Sequence, residues 1–195
     1  MSTKQSVVCL CFKFLRVAPA EQNDMKFISR LLKPLTFVLL IVLVAGCAIV
    51  THSSPGTTTT VILTRHADRD PMATELNDQG RLRAQALVEA VAEMNITAIY
   101  SPDLKRNLDT ARPLAEHLGI EVQIIGASKY EVSKTILTKH PGEVVIGIGK
   151  SGNLKEIYPF LGGEGAPPTV YGDLFIMKIR DSGSPEVIKK RYGPA

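Results

Sequence analysis

Short apolar runs alternate with longer amphipathic segments along most of the chain. Four runs have the length and the aliphatic, β-branched content of buried strands, at residues 61–64, 96–100, 121–125 and 144–148. Four segments between or after them are predicted to be helical, at residues 76–87, 101–115, 132–139 and 153–161. Because strands and helices alternate in this order, the pattern predicts an α/β protein built on a parallel sheet.

The end of the chain has a different pattern. Residues 173–180 alternate between apolar and polar positions, and residues 185–192 are predicted to pair with them across a turn at 181–184. The whole pattern therefore predicts a three-layer α/β sandwich with helices on both faces of a mostly parallel sheet that has an antiparallel edge.

The helix predicted after the second strand has clear start signals. Ser101 suits the N-cap, Pro102 the first helical position and Asp103 the first turn. Since this helix would begin at the carboxyl end of a parallel strand, Arg106 is predicted to lie at the same edge of the sheet as the end of the first strand.

The dipeptide Arg65-His66 directly follows the first predicted strand. In open α/β sheets, the chemistry gathers just beyond the carboxyl ends of the strands. A neutral imidazole is a competent nucleophile toward phosphorus, and a guanidinium can hold phosphate oxygens through two parallel hydrogen bonds. The dipeptide therefore indicates an anion site, with two solvated polar residues at a strand end as the alternative.

Three motifs follow one another along the chain. They are Thr-Arg-His-Ala at residues 64–67, Leu-Asn-x-x-Gly at 76–80, and a third at 100–111 that contains Tyr100, Ser101, Asp103, Leu104, Arg106, Thr110 and Ala111. In this order they resemble the motifs of the histidine phosphatase superfamily, also called phosphoglycerate-mutase-like. The resemblance covers about residues 59–193, including the closing Arg191-Tyr192-Gly193. It implies the phosphoglycerate-mutase-like fold.

The resemblance also implies metal-independent hydrolysis of a phosphomonoester, with no cofactor. His66 would attack phosphorus in line, Arg65 and Arg106 would hold the equatorial oxygens, and water would then hydrolyse the phosphohistidine. The partner of the site would be a small phosphorylated molecule.

A carboxylic acid must protonate the departing alkoxide in this scheme. Glu131, in the segment after the third predicted strand, is the candidate donor. Asp68 and Asp70, which follow the nucleophile directly, remain alternatives.

One position departs from the family pattern. The family's second histidine follows the next strand in a run ending Gly-His-Ser-Asn, whereas residues 149–153 read Gly-Lys-Ser-Gly-Asn here, with Lys150 in the place of the histidine. Lysine supplies a point charge and three donors on a flexible stem, but it cannot reproduce a positioned planar imidazole. Two function classes therefore stay open: a phosphatase in which Lys150 helps to bind phosphate, and a catalytically inactive envelope lipoprotein with a phosphate-ligand-binding or structural role.

The strand order makes a geometric prediction about these residues. Because they follow or closely trail strand ends at one edge of the sheet, we expect four functional groups to converge around one anion-sized pocket, those of Arg65, His66, Arg106 and Lys150. The remaining histidines are predicted to lie on the surface, at His52, His117 and His140.

The N-terminal region predicts export. Residues 25–33 form a basic n-region and residues 35–44 an uninterrupted apolar h-region. The following Leu-Val-Ala-Gly-Cys resembles a bacterial lipobox, with Cys47 as the lipidated first residue of the mature chain. Residues 25–46 are thus predicted to be a lipoprotein signal peptide, and residues 47–58 a flexible tether to a histidine-phosphatase-like domain at 59–195.

An uncleaved anchor helix is the alternative, because residues 34–50 are all uncharged and approach the length that spans a bilayer. Both interpretations place the domain on a membrane of the bacterial cell envelope, facing the periplasm or the exterior. Ala48, by resemblance to the lipoprotein sorting signal, favours an outer membrane. Residues 1–24 are not needed for the signal, and we interpret them as an extension from a wrongly chosen upstream start codon, with a genuine N-terminal extension as the alternative.

The charge of the chain comes from its N-terminal region. Six of the 23 basic residues and two of the 19 acidic residues precede residue 48, so 17 of each remain in the rest of the chain. A neutral domain with no basic stripe gives no reason to expect a nucleic-acid partner. The three cysteines, at positions 9, 11 and 47, predict neither a disulfide nor a metal site in the domain. The sequence does not determine the oligomeric state.

Overall fold

The computed structural model describes residues 51–126 and 128–194. The predicted extension, signal peptide and lipidated Cys47 lie outside these residues. Among the described helices, none is long and apolar enough to cross a bilayer.

Six strands and four helices alternate along the described chain. The strands are β1 (Thr58–Arg65), β2 (Ile96–Ser101), β3 (Val122–Ile124), β4 (Val144–Gly149), β5 (Asp173–Arg180) and β6 (Glu186–Arg191). The helices are α1 (Asp78–Ala90), α2 (Lys105–Leu118), α3 (Lys129–Lys139) and α4 (Ser151–Phe160).

All six strands join one sheet, in the order β3-β2-β4-β1-β5-β6. The first four in that order pair in parallel. Strand β5 pairs antiparallel with β1 on one side and with β6 on the other. The prediction of a mostly parallel sheet with an antiparallel edge is therefore confirmed.

The two faces of the sheet carry separate cores, because successive side chains of a strand point in opposite directions. Val61 and Leu63 join a buried cluster with residues of α3 and α4. Ile62 joins a second cluster with residues of α1 and α2. The three-layer sandwich predicted from the sequence is thus the observed architecture.

The start of α2 differs from the prediction. The helix begins at Lys105, whereas Ser101 is still the last residue of β2 and its carbonyl accepts from the Ile125 amide. A residue that precedes proline is pushed away from helical backbone angles, so Ser101 continues the strand instead of capping the helix. Its hydroxyl donates to the Pro102 carbonyl.

Part of the segment predicted as a tether packs on the domain. Ser53 is buried, and its amide donates to the Arg180 carbonyl at 3.0 Å. The Gly56 amide donates to the Asp181 carboxylate at 2.9 Å. Ordered contacts therefore begin before β1, at the end of the sheet opposite to the carboxyl ends of the parallel strands.

Candidate active site

The pairing of β1 with β4 places two sequence motifs side by side. Arg65 lies opposite Gly149 in the parallel ladder, and the His66 amide donates to the Gly149 carbonyl at 2.9 Å. His66 and the backbone of Lys150 therefore follow neighbouring strand ends. This is the edge at which the sequence predicts an anion site.

The imidazole of His66 is held between two protein groups. Its Nδ1 lies 2.8 Å from the Ala67 carbonyl oxygen, and the Arg106 Nε lies 3.2 Å from its Nε2. A carbonyl can only accept a hydrogen bond and a guanidinium can only donate one. The proton of the neutral ring must therefore be on Nδ1, and the lone pair of Nε2 faces Arg106.

Burial keeps this imidazole neutral. His66 is 2% exposed, and desolvation is the main reason that its pKa falls from 6.5 to about 4. The positive charges of Arg65, Arg106 and Arg69 lower the pKa further, whereas the hydrogen bond to Ala67 opposes them. At neutral pH the ring is thus an uncharged base inside a cluster of cations.

Arg65 is held by the loop that precedes β5. Its guanidinium donates to the Thr169 carbonyl at 2.9 Å and to the Tyr171 hydroxyl at 3.1 Å, and its Cζ lies 3.9 Å from the centroid of the Tyr171 ring. The Nε of Arg65 is buried and has no hydrogen-bond partner among the described residues. The guanidinium of Arg65 is thus oriented by Thr169 and Tyr171, and its Nε donor is unpaired in the described part of the chain.

Two buried polar residues of α2 fix this helix to the strand ends. The Thr110 hydroxyl accepts from the Ala67 amide at 2.9 Å and donates to the Arg106 carbonyl at 2.7 Å. The Asn107 amide donates to the Ile148 carbonyl at 2.9 Å. These bonds set the position of Arg106 relative to His66, which gives Thr110 of the third motif a physical role.

Lys150 and Glu131 lie at the same edge but are solvent-exposed. Lys150 is the N-cap of α4, where its amide donates to the Asn153 side chain at 2.8 Å. Its ammonium makes no hydrogen bond or ion pair within the described part of the chain. Glu131 lies in the first turn of α3. Of the predicted site residues, the structure brings His66 and Arg106 into direct contact.

The two alternative proton donors have other roles. Asp68 forms a buried ion pair with Arg83, with 2.6 Å between the Asp68 carboxylate and the Arg83 Nε. Asp70 is exposed and accepts from the Asn77 side chain. The Asp68 carboxylate is thus engaged with Arg83, and Glu131 stays the predicted donor.

Sequence reasoning missed Tyr171 and Arg83. Tyr171 is separated from Arg65 by 106 positions, and its ring centroid lies 5.8 Å from that of His66. No local signal in the sequence predicts that contact. Arg83 could have been noticed, because it shares the buried face of α1 with Gly80, Ala84 and Leu87.

The prediction that His140 lies on the surface is wrong. Its Nδ1 lies 2.7 Å from the Glu143 carboxylate, and its Nε2 lies 2.9 Å from the hydroxyl of the buried Tyr100. The turn between α3 and β4 folds the imidazole onto β2. His117 is exposed, as predicted.

A cleft of about 630 Å³ lies beside α1 and α2, and its lining includes none of the residues Arg65, His66, Arg106 and Lys150. It is lined by apolar residues and by charges of both signs, among them Glu75, Arg81, Lys105 and Asp109. Because its lining carries charges of both signs, the cleft has no uniform charge to attract an anion. His66 and Arg106 are in direct contact, and Arg65 is close enough to lower the pKa of His66. The convergence of these groups with Lys150 around one pocket stays a prediction.

The lowered pKa of His66 predicts a pH-dependent stability. The unfolded chain takes up the proton near pH 6.5 and the folded chain only near pH 4, so the unfolded state binds more protons in between. The free energy of unfolding should fall as the pH drops through this window, by up to about 1.4 kcal/mol per pH unit. Denaturant titrations at several pH values should show that the free energy of unfolding falls more steeply with decreasing pH in wild type than in His66→Asn. Parallel curves would contradict the assigned pKa.

Comparisons with known proteins give a family match for one segment and similar folds for most of the chain. Residues 61–127 match the model of the histidine phosphatase superfamily (branch 1). A comparison with curated proteins finds no match.

Three solved structures show the same fold at low sequence identity. YhfR from Bacillus stearothermophilus has a TM-score of 0.55 and 19% identity, over 66% of this chain and 95% of that one. SixA from Agrobacterium tumefaciens has a TM-score of 0.53 and 18% identity, over 70% and 98%. Mycobacterial glucosyl-3-phosphoglycerate phosphatase, in complex with inorganic phosphate, has a TM-score of 0.50 and 15% identity, over 70% and 97%. The chain thus has the phosphoglycerate-mutase-like α/β fold, and the segment that carries His66 and Arg106 matches the histidine phosphatase superfamily.

Proposed function

We propose that this protein is a metal-independent phosphatase of the histidine phosphatase superfamily, which hydrolyses a small phosphorylated molecule through a phosphohistidine on His66. The observation that carries the proposal is the neutral, buried imidazole whose Nε2 faces the Arg106 guanidinium. A nucleophile and a positive clamp for the phosphoryl group are then in contact before any substrate arrives.

The reaction follows from the donors and acceptors around His66. When a phosphoryl group reaches Nε2, the Arg106 guanidinium releases its hydrogen bond to the imidazole. It then donates to a phosphoryl oxygen instead. The buried Nε of Arg65 supplies a further donor. Nε2 then attacks phosphorus while the bond to the alkoxide breaks, and water later cleaves the P–N bond to give inorganic phosphate and free His66.

Glu131 is the proposed donor to the leaving alkoxide. It lies in the first turn of the helix that follows β3, after the carboxyl end of a parallel strand. Its exposed carboxyl group can exchange protons with water between turnovers. The phosphatase named among the similar structures was solved with inorganic phosphate, which is consistent with a phosphorylated ligand for this fold.

Lys150 favours a second candidate function, a protein that binds a phosphorylated ligand without hydrolysing it. Its ammonium extends into solvent, whereas Arg65 is engaged with Thr169 and Tyr171. A flexible, hydrated ammonium spreads phosphoryl charge less effectively than an imidazole fixed in place. Binding through Arg106, Arg65 and Lys150 needs no such group.

Trapping the intermediate separates the two functions. With a ³²P-labelled phosphomonoester and a rapid quench at alkaline pH, wild type should carry label on His66 and His66→Ala none, whereas His117→Ala should resemble wild type. Lys150→His should raise the hydrolysis rate about 10²-fold, because it restores a positioned donor to the transition state. Lys155→His, on the same helix, is the matched control.

The opposite result would support the binding protein. In that case no variant is labelled, Lys150→His gains nothing, and Arg106→Ala still weakens binding of inorganic phosphate by about 1.5–3 kcal/mol. A wild type and a Lys150→His variant that neither bind phosphate nor become labelled would contradict both functions.

We also propose that the protein is a lipoprotein of the bacterial envelope, anchored through Cys47. The support is the sequence pattern of residues 25–47, with a basic region, an apolar region and small residues before the cysteine. An acyl anchor would place the phosphatase domain beside the membrane and outside the cytoplasm.

Labelling with radioactive palmitate tests the anchor. Cells that express the full chain should label the protein, and Cys47→Ala should abolish the label because no other residue is proposed to be acylated. Cys9→Ala and Cys11→Ala are matched controls and should keep it. Equal labelling of Cys47→Ala would overturn the lipobox assignment.

A further inference from the structure

A buried ion pair next to the nucleophile has no part in the chemistry proposed above. The Arg83 side chain is 3% exposed and that of Asp68 is 12% exposed. The Arg83 Nε donates to one Asp68 oxygen at 2.6 Å, and its second terminal nitrogen lies 3.4 Å from the other oxygen. The remaining terminal nitrogen donates to the Tyr192 carbonyl at 2.7 Å. One guanidinium thus links α1, the segment after β1 and the end of β6.

This ion pair lies one peptide bond away from the group that orients His66. The carbonyl that contacts Nδ1 belongs to the peptide between Ala67 and Asp68. On one side, the Ala67 amide donates to Thr110. On the other side, the Asp68 carbonyl accepts from the Asn77 amide at 3.1 Å, and the Asp68 side chain is held by Arg83. The direction of the Ala67 carbonyl is therefore fixed from both ends.

Three glycines leave the ion pair no space in which to move. A Cβ at Gly80 would lie 2.0 Å from the Asp68 carbonyl oxygen, so α1 can approach this segment only with glycine there. A Cβ at Gly172 would lie 2.5 Å from an Arg83 terminal nitrogen, and one at Gly193 would lie 2.9 Å from the Arg83 Cγ. The close packing explains Gly80 of the second motif and the closing Tyr192-Gly193.

We propose that Arg83 is a positioning residue for His66. Through Asp68, it holds the Ala67 carbonyl against Nδ1, so that the ring keeps one tautomer and its Nε2 lone pair faces Arg106. The proposal rests on the proposed function only in taking Nε2 as the reactive atom.

Arginine suits this task because of its shape. The planar guanidinium can bind a carboxylate and a carbonyl at the same time, and it stays charged even when buried. Lysine could keep the charge next to Asp68, but its single nitrogen cannot bind the Asp68 carboxylate and the Tyr192 carbonyl in the way that the planar guanidinium does. Arg83→Lys should therefore loosen the segment while it preserves the ion pair.

The test is the tautomer of His66, measured by ¹⁵N NMR on protein with labelled histidine. Wild type at neutral pH should show a protonated Nδ1 and an unprotonated Nε2. Arg83→Lys and Gly193→Ala should give a mixture of both tautomers and about 10²-fold less phosphohistidine per unit time, because the nucleophile is misplaced. Gly183→Ala is the matched control for Gly193→Ala, since both glycines have a positive φ, of 78° and 74°, but Gly183 has open space around its Cβ position.

Each outcome decides the question. A single, unchanged tautomer in folded Arg83→Lys and Gly193→Ala would overturn the proposal. If Arg83→Lys fails to fold, Gly193→Ala decides, because it keeps both charged partners. If neither folds while Gly183→Ala does, the ion pair is a requirement for folding and the positioning role is overturned. A wild type with the expected tautomer but no phosphohistidine would refute the proposed function alone.

Discussion

His66 lies between a group that can only accept a hydrogen bond and a group that can only donate one. The Ala67 carbonyl accepts a hydrogen bond from Nδ1, and the Arg106 guanidinium donates one to Nε2. This arrangement determines the tautomer, and burial among cations keeps the ring uncharged. The ends of β1 and β4, the first turn of α2 and the N-terminal half of α1 all contribute bonds that maintain it. The chemistry proposed for the domain depends on these two hydrogen bonds of His66.

The period of the apolar residues was sufficient to predict the architecture. Alternation along β1 divides Val61 and Leu63 from Ile62, and these residues do enter different cores. Because parallel strands end at one edge of the sheet, the sequence predicts that His66 and Arg106 lie close together. Both inferences use regularities that are local in the sequence.

The partners of the site residues could not be predicted in this way. Arg65 contacts Tyr171 and Arg83 contacts Tyr192, and each contact joins residues more than a hundred positions apart. Ser101 is predicted from its local sequence to be a helix N-cap, but it stays in the sheet. Its carbonyl accepts from the Ile125 amide, and its backbone is extended. Which side chain reaches which depends on how the layers pack, and a single sequence contains no direct record of that.

The backbone of Lys150 lies next to His66, but its side chain does not take the role that the family's histidine has. Its backbone follows β4 next to His66, where the resemblance expects an imidazole, yet its ammonium lies in solvent. The phosphoryl clamp that we propose therefore depends mainly on Arg106 and on the free donor of Arg65, and Lys150 adds a mobile charge. This difference is the reason that we expect Lys150→His to raise the rate of the hydrolysis that we propose.

A crystal structure with bound orthovanadate tests the central claim most directly, because vanadate adopts the geometry of a phosphoryl group in transfer. The account predicts vanadium bonded to Nε2 of His66, opposite a Nδ1 that still contacts the Ala67 carbonyl, with Arg106 and Arg65 on the equatorial oxygens. Vanadate bound elsewhere, or an Arg106 that stays on the imidazole while the anion is excluded, would contradict it.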